Sequence, residues 1–201
     1  PMALAAALAA GGMSTAWLNA TETEVYAASL ALGMITIWAG DRAGREPEGR
    51  WGYLTAYLIA LAVPLHLSAL VAAPAAIALA AFAPSGMRWR TAATLTGTLI
   101  LAIGVGRMTW WLVASGVITI AGATLAPLPG ARARDALGTR IGVLGLVLFV
   151  AAVGCSAILF LFVRAGLDPS VNQGAPDTLN GLASVVSRRQ YPVAPLWPRM
   201  A

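Results

Sequence analysis

The first residues along the chain whose side chains could take part in chemistry are two glutamates. Glu22 and Glu24 come just before Tyr26, at the start of the second apolar stretch. A carboxylate at the edge of an apolar helix can bind a cation, pair with an arginine or act as a general base. It can also be a solvated residue that the positive end of the helix dipole favours. Both readings stay open, and Glu24 and Tyr26 are our first candidates for a ligand site.

The single histidine is the next candidate. His66 follows Pro64 near the end of the third apolar stretch. An imidazole in an apolar setting can hydrogen-bond to another helix, titrate, or ligate the metal of a haem or a chlorophyll-type pigment. Nothing else in the sequence forms a pigment pocket. We therefore expect a cross-helix hydrogen bond and no cofactor.

Arg107 interrupts a long apolar run and precedes Trp110 and Trp111. Its guanidinium can receive the phosphate of a lipid or of a polyprenyl carrier, with the indoles packed beside it. The alternative is an arginine whose stem lies along apolar surface while its charged head reaches water.

The remaining candidates lie near the C-terminal end. Asp177 is placed to cap a short amphipathic helix over residues 178–187. Arg189 can contact an anionic headgroup or a partner protein, and Gln190 and Tyr191 follow it directly.

The sequence contains no motif that fixes a reaction. We find no glycine loop that could cradle phosphate, no spacing typical of metal ligands and no nucleophile with a base beside it. Cys155 is the one cysteine, so it can form neither a disulfide within the chain nor a cysteine metal cluster, and we expect a small core residue.

The composition predicts that a bilayer surrounds these candidates. Of 201 residues, 59% are hydrophobic and 10% are charged, with a mean hydropathy of +0.76. A water-soluble domain of this size cannot hide so much apolar surface. The basic residues are all arginine and form no dense stripe, so nucleic acid is excluded as a partner.

Apolar stretches predict an all-α integral membrane bundle of about six to seven transmembrane or half-spanning helices. The fourth stretch is short and contains a proline, so it can be a half-span or a continuation of the third beyond a kink at Pro64. The stretches are Met2–Leu18, Val25–Ala39, Trp51–Leu67, Ser68–Ala83, Ala92–Gly106, Thr109–Leu128 and Ile141–Val163.

Arginines between these stretches predict the topology. The loops that hold Arg45, Arg88 and Arg134 fall on one face if the chain alternates, and positive loops stay in the cytoplasm. We therefore predict a multi-pass protein of the bacterial cytoplasmic membrane. The bundle covers residues 1–164, and residues 165–201 form an extracytoplasmic tail.

The tail is expected to be ordered and docked. Leu179, Leu182 and Val186 fall on one face of the short helix, and the proline-rich end after Tyr191 should lie extended on a surface. Small residues should let the bundle helices approach closely. They are Gly104, Gly106, Gly116, Gly122, Gly138, Gly142 and Gly145.

Two groups of residues resemble a bacterial membrane family grouped with the protein O-mannosyltransferase-like glycosyltransferases of the polytopic C superfamily. The first group is Glu22–Tyr26, Tyr57–Leu61, His66–Leu67 and Pro74. The second is Arg164–Ala165, Asp168–Pro169, Asn172, Gly174, Pro176–Leu179 and Ser187–Pro192. The middle, from about Pro84 to Val163, matches only in hydrophobic character.

The resemblance implies a membrane fold that uses a polyprenyl-phosphate sugar. It also implies an acidic catalytic residue in an extracytoplasmic loop upstream of the residues present here, and no equivalent precedes Glu22. We therefore expect the chain alone to yield no glycosyl-transfer product. Turnover abolished by Glu24→Gln would instead identify Glu24 as the base.

Two functions follow as hypotheses. The first, which we favour from the sequence, is a non-catalytic accessory subunit with a glycosyltransferase-like fold. It would bind membrane lipids and pack with other membrane proteins, such as an energy-transducing or pigment-bearing complex. The second is the membrane core of a glycosyltransferase that uses a polyprenyl-phosphate sugar and whose catalytic N-terminal part is missing. Whether the chain is an enzyme stays open.

Overall fold

The computed structural model describes residues 2–14, 25–46, 49–83, 86–127, 133–170, 172 and 174–189, with backbone alone at 25 and 133–136. This part of the chain is mostly helical. The helices are α1 (Met2–Gly11), α2 (Val25–Arg45), α3 (Arg50–Leu65), α4 (Ala73–Ala81), α5 (Trp89–Gly106), α6 (Trp110–Leu125), α7 (Ala133–Ser156), α8 (Ile158–Ala165) and α9 (Leu179–Val186). A 3-10 segment (Leu67–Ala72) joins α3 to α4, and a short antiparallel pair, β1 (Phe82–Ala83) with β2 (Gly86–Met87), joins α4 to α5.

Each predicted apolar stretch contains a helix, but two breaks differ from expectation. The break after the third stretch falls at His66, whose backbone is extended, and not at Pro64, which lies inside α3. The last stretch is divided at Ala157, between α7 and α8.

Pro64 leaves a carbonyl group without its helical donor. Proline has no N–H, so it cannot bond to the carbonyl four residues earlier, which is that of Ala60. The thiol of Cys155 on α7 lies 3.8 Å from this carbonyl and is placed to donate to it. Cys155 is half-buried, and this contact gives it a more specific place than the small core residue that we expected.

Helix α3 lies at the centre of the packing, against α2, α5 and α7. Most of the buried side chains are small or branched, and the largest that are fully buried include Ile59, Leu95 and Ile120. Helices α5 and α6 pack closely, and a Cβ on Gly116 would lie 2.6 Å from the backbone nitrogen of Leu101. Helix–helix contact in this fold therefore depends on residues without bulk at the crossing points.

The glycine prediction is right for some positions and wrong for others. Gly104, Gly106 and Gly116 face neighbouring helices at distances that a Cβ would violate. Others that we expected at contacts, Gly122, Gly138, Gly142 and Gly145, face open space. Gly40, Gly44, Gly97 and Gly154 occupy close crossings that the sequence reading missed, since spacing does not reveal which face meets a partner.

The prediction of six or seven spanning helices is not supported. Within the described residues, one stretch is long and apolar enough to cross a bilayer, Leu137–Ala165, which joins α7 and α8. Helices α3 and α6 have 16 residues each, or about 24 Å at 1.5 Å per residue, against about 30 Å of hydrocarbon. Helix α2 is longer, but Asp41, Arg42 and Arg45 occupy its last turns.

The tail helix forms where it was predicted and docks on the bundle. Leu182 is buried within the main hydrophobic cluster, and Val186 packs against that cluster. Leu179 was expected on the same face but is exposed. Asp177 is exposed and is not the cap, because the side chain of Thr178 accepts the N–H of Gly181 at 3.0 Å. Thr178 is the residue with the extended backbone that an N-cap requires.

Candidate functional site at the His66 end

His66 lies at the junction between α3 and the 3-10 segment, where it is the C-cap of α3 and the N-cap of the 3-10 segment. Its backbone N–H donates to the carbonyl of Ala62, which closes the last turn of α3. Its ring nitrogen Nδ1 accepts the backbone N–H of Ser68 at 3.3 Å, which caps the 3-10 segment. A histidine in this place therefore has a fixed ring orientation.

The hydrogen bonds assign the tautomer of His66. A backbone N–H can only donate, so Nδ1 is an acceptor and the neutral ring carries its proton on Nε2. The hydroxyl of Ser68, 2.6 Å from Nδ1, must then also donate to it. Ser29 on α2 lies 2.6 Å from the Ser68 hydroxyl oxygen and donates in turn. The relay runs from Ser29 through Ser68 to His66 and leaves Nε2–H as a donor.

The expected cross-helix hydrogen bond is thus present in an indirect form. His66 reaches α2 through Ser68 and not by a direct bond. The ring of Tyr26, also on α2, packs edge-on against the imidazole with centroids 5.5 Å apart. Tyr26 and Ser29 are three residues apart, so both fall on the face of α2 that meets His66.

Arg188 brings a positive charge towards this cluster from the tail. The tail helix ends in two bonds, from the Arg188 N–H to the Val185 carbonyl and from the Arg189 N–H to the Ser184 carbonyl. This is the Schellman arrangement, in which glycine is the usual residue at the left-handed position. Arg188 holds that position with φ of 56°. A non-glycine residue there costs roughly 1 kcal/mol or more of strain.

The pKa of His66 lies below its ordinary value. Partial burial of the ring is the larger cause, because it disfavours the charged imidazolium, and the charge of Arg188 is the second. His66 is therefore neutral at pH 7 and acts as a hydrogen-bonding group. The proton on Nε2 and the engagement of Nδ1 do not suit a metal ligand, and no group of three or more metal-binding side chains occurs in the described part of the chain.

The structure brings together only part of the predicted site. Tyr26 and His66 are in contact, Ser29 and Ser68 join them through hydrogen bonds, and the charge of Arg188 acts on His66. The i, i+3 spacing of Tyr26 and Ser29 was a usable signal for the missed serine. The contribution of Arg188, more than a hundred residues along the chain, had no local signal.

Other candidates lie nearby or outside the described residues. Arg107 is the C-cap of α5, one residue after Gly106, which packs against Leu67 beside His66. Arg189 is exposed, and neither it nor Asp177 has a described contact with the cluster. Glu24, Gln190 and Tyr191 lie outside the described residues.

Comparison with known families agrees with the mannosyltransferase-like part of the resemblance that the sequence predicted. Residues 1–89 match the family model of the N-terminal domain of protein O-mannosyl-transferase TMEM260. The match covers less than half of the chain and is consistent with a mannosyltransferase-like family. It contains Tyr26, Ser29, His66 and Ser68, whereas the tail lies beyond it. No curated protein and no solved structure matches the chain.

Proposed function

We propose that this chain is the membrane core of a glycosyltransferase that moves a sugar, mannose in the first instance, from a polyprenyl phosphate to a protein hydroxyl group. The family match over residues 1–89 carries this proposal, because it contains the Tyr26–His66 cluster. It favours the enzyme over the non-catalytic accessory subunit that we preferred from the sequence. Nothing in the match speaks for the accessory role.

Membrane placement is part of the proposal, and two observations support it. The most apolar window of Leu137–Ala165 has a mean hydropathy of 2.9, yet only 22% of it is buried within the fold. The core helix of a water-soluble protein would be mostly covered. Large apolar side chains are also exposed on other helices, among them Leu30, Met34, Trp89, Trp110 and Ile118. A lipid environment would cover this surface.

The described residues fit the binding of a sugar-phosphate donor. His66 offers Nε2–H and Arg188 offers a guanidinium, and both donate to phosphate oxygens. In the transfer, the acceptor oxygen bonds to the anomeric carbon, the bond from that carbon to the phosphate oxygen breaks, and the polyprenyl phosphate leaves with the electron pair. The two donors stabilise the charge that develops on the leaving phosphate.

The proton of the acceptor hydroxyl needs a base. Asp41 and Glu46 lie at the opposite end of the bundle, in ion pairs with arginines. Glu24 directly precedes α2 in the sequence, and we assign it for testing as the base.

The test is transfer of labelled mannose from polyprenyl-phosphate mannose to protein in membranes that carry the natural gene product. Arg188→Gly should lower transfer about tenfold at low donor concentration, since a charge-assisted hydrogen bond contributes about 1.5 to 3 kcal/mol. The same substitution should leave the thermal midpoint unchanged or higher, because glycine suits the left-handed position. Opposite signs for activity and stability separate a donor contact from a structural role.

Arg45→Gln is the matched control, since Arg45 is exposed at the other end of the bundle. Loss of transfer in Glu24→Gln with normal folding would identify the base. Equal transfer in membranes with and without the chain would overturn the enzyme proposal and favour an accessory subunit.

A further inference from the structure

A second site lies at the other end of the bundle, around a cavity of about 300 Å³ between α3, α5, α6 and α7. Tyr53 on α3 lines it, 13 residues before His66, so the cavity and the His66 cluster are about 20 Å apart along that helix. Three arginines line the cavity, Arg88, Arg90 and Arg140. The family resemblance and the glycosyl-transfer proposal leave this cavity without a role.

The three guanidiniums are held in place by backbone carbonyl groups at helix ends. Arg90 donates to the carbonyls of Ala123, Thr124 and Ala126 at 2.9, 2.9 and 2.6 Å. Arg88 donates to Ala43 at 2.7 Å, and Arg140 donates to Leu125 at 3.4 Å. The guanidinium groups in the cavity wall are therefore ordered before a ligand binds, which lowers the entropic cost of binding.

Helix capping does not balance the charge of these arginines. A helix C-terminus carries about half a negative charge, so the ends of α2 and α6 offset roughly one of the three positive charges. The described carboxylates Asp41 and Glu46 pair with Arg42, Arg45 and Arg50 instead. None of the ion pairs among the described residues involves a cavity arginine, so these residues leave about two of the three positive charges uncompensated.

One donor in the wall is also without a partner. The Nε atom of Arg140 is buried and makes no hydrogen bond within the described part of the chain. A buried guanidinium donor left unpaired is costly, and an acceptor in the cavity would remove that cost. Threonine side chains of Thr91 and Thr94 lie in the same wall and offer further donors.

The cavity is apolar below its charged rim. Leu95 on α5 and Val147 on α7 line it, five residues beyond Arg90 and seven beyond Arg140. At 1.5 Å per residue they lie roughly 8 to 10 Å deeper along their helices. A charged rim over an apolar wall suits a ligand with a phosphate at one end and hydrocarbon at the other.

We propose that this cavity binds the phosphate group of an anionic membrane lipid. The phosphate accepts from Arg88, Arg90 and Arg140, including the unpaired Nε of Arg140, and the apolar wall contacts the lipid's hydrocarbon part. Basic pockets between helices on the cytoplasmic side of membranes are suited to such headgroups. The site rests on the membrane placement proposed above and not on the glycosyl transfer, so a failure of the transfer alone leaves the site standing.

The experiment compares the thermal midpoint of the full chain in phosphatidylcholine vesicles with and without phosphatidylglycerol. A second arm adds inorganic phosphate to pure phosphatidylcholine vesicles. We expect phosphatidylglycerol to raise the thermal midpoint of the wild type. In Arg140→Gln, most of this rise should be absent. Arg140→Lys should retain part of the shift, because the charge remains while the fork of donors is lost.

Arg45→Gln is again the control, because it removes a charge from the same end of the bundle but outside the cavity wall. An equal shift in wild type and Arg140→Gln would overturn the site. If inorganic phosphate alone produces the full shift in thermal midpoint, the ligand is a soluble phosphate and the proposal of a lipid ligand is wrong. If Arg140→Gln fails to fold, binding of spin-labelled phosphatidylglycerol to wild type and Arg140→Lys decides the same question.

Discussion

The two ends of α3 present opposite kinds of polar group. At its N-terminal end, arginines surround a cavity, and the carboxyl of Glu46 has a lowered pKa, chiefly because the Trp51 indole N–H donates to it and also because Arg42 and Arg50 lie close. At its C-terminal end, a neutral histidine is held by two serines and a tyrosine edge. Ion pairs and cavity arginines therefore lie at one end, whereas the other end holds a neutral hydrogen-bonded histidine on which the charge of Arg188 acts.

The largest expected effect concerns topology, because the two ends of α3 should lie on opposite sides of the membrane. Arg45→Cys and Asn180→Cys, each in a Cys155→Ala background, should react with a membrane-impermeant thiol reagent from opposite sides of the membrane. In intact cells only position 180 should be labelled, and position 45 should react after permeabilisation. Labelling of both positions from the same side would contradict the predicted topology.

Arg90→Gln should be the most destabilising change at the arginine end. Three bonds from one guanidinium hold the C-terminal carbonyls of α6, and a hydrogen bond to a charged group makes a net contribution of about 1.5 to 3 kcal/mol. We expect a loss of about 3 kcal/mol in the free energy of unfolding in detergent. Arg45→Gln should change it by less than about 0.5 kcal/mol, since its ion pair is exposed. Equal effects would show that the Arg90 bonds contribute little.

At the neutral end, Ser68→Ala should cost about 1 to 2 kcal/mol, because it leaves Nδ1 of His66 with one donor and Ser29 without its acceptor. Ser29→Ala should cost less, and the double variant should cost less than the sum of the two. Ser156→Ala is the control, since its hydroxyl bonds only within its own helix. Strict additivity would mean that the relay does not act as a unit.

The smallest expected effect is the pH dependence of stability. The folded pKa of His66 is lowered, so between the ordinary value near 6.5 and the folded value the unfolded chain binds a proton that the folded chain does not. Stability should therefore fall as the pH drops below about 6.5. The slope should disappear in His66→Gln, and it should weaken in Arg188→Gly. A slope that survives both changes would place the titrating group elsewhere.

The outcome of the helix prediction shows what a local pattern can supply. Apolar runs predicted a helix in each stretch, because burial of apolar side chains and the pairing of backbone groups both favour helices there. The run over 141–163 did not reveal the break at Ala157, and its high hydropathy was shared by stretches too short to cross a bilayer. Length and polarity near helix ends, as in α2, decided which helices pass that test.

Sequence by itself determined the helical content, the collection of arginines at alternate connections and the tail helix at Leu179–Val186, and it singled out His66 as a candidate site residue. These follow from properties of neighbouring residues, which hydrophobicity and capping chemistry express directly. Tertiary structure alone decided that Ser29 reaches His66 through Ser68, that the charge of Arg188 acts on His66, and that Arg140 shares one cavity with Arg88 and Arg90. The reason is that the interacting partners lie on separate segments of the chain, so their distances depend on which helix faces pack together. Glycine crossings and buried volume across the whole bundle determine that packing.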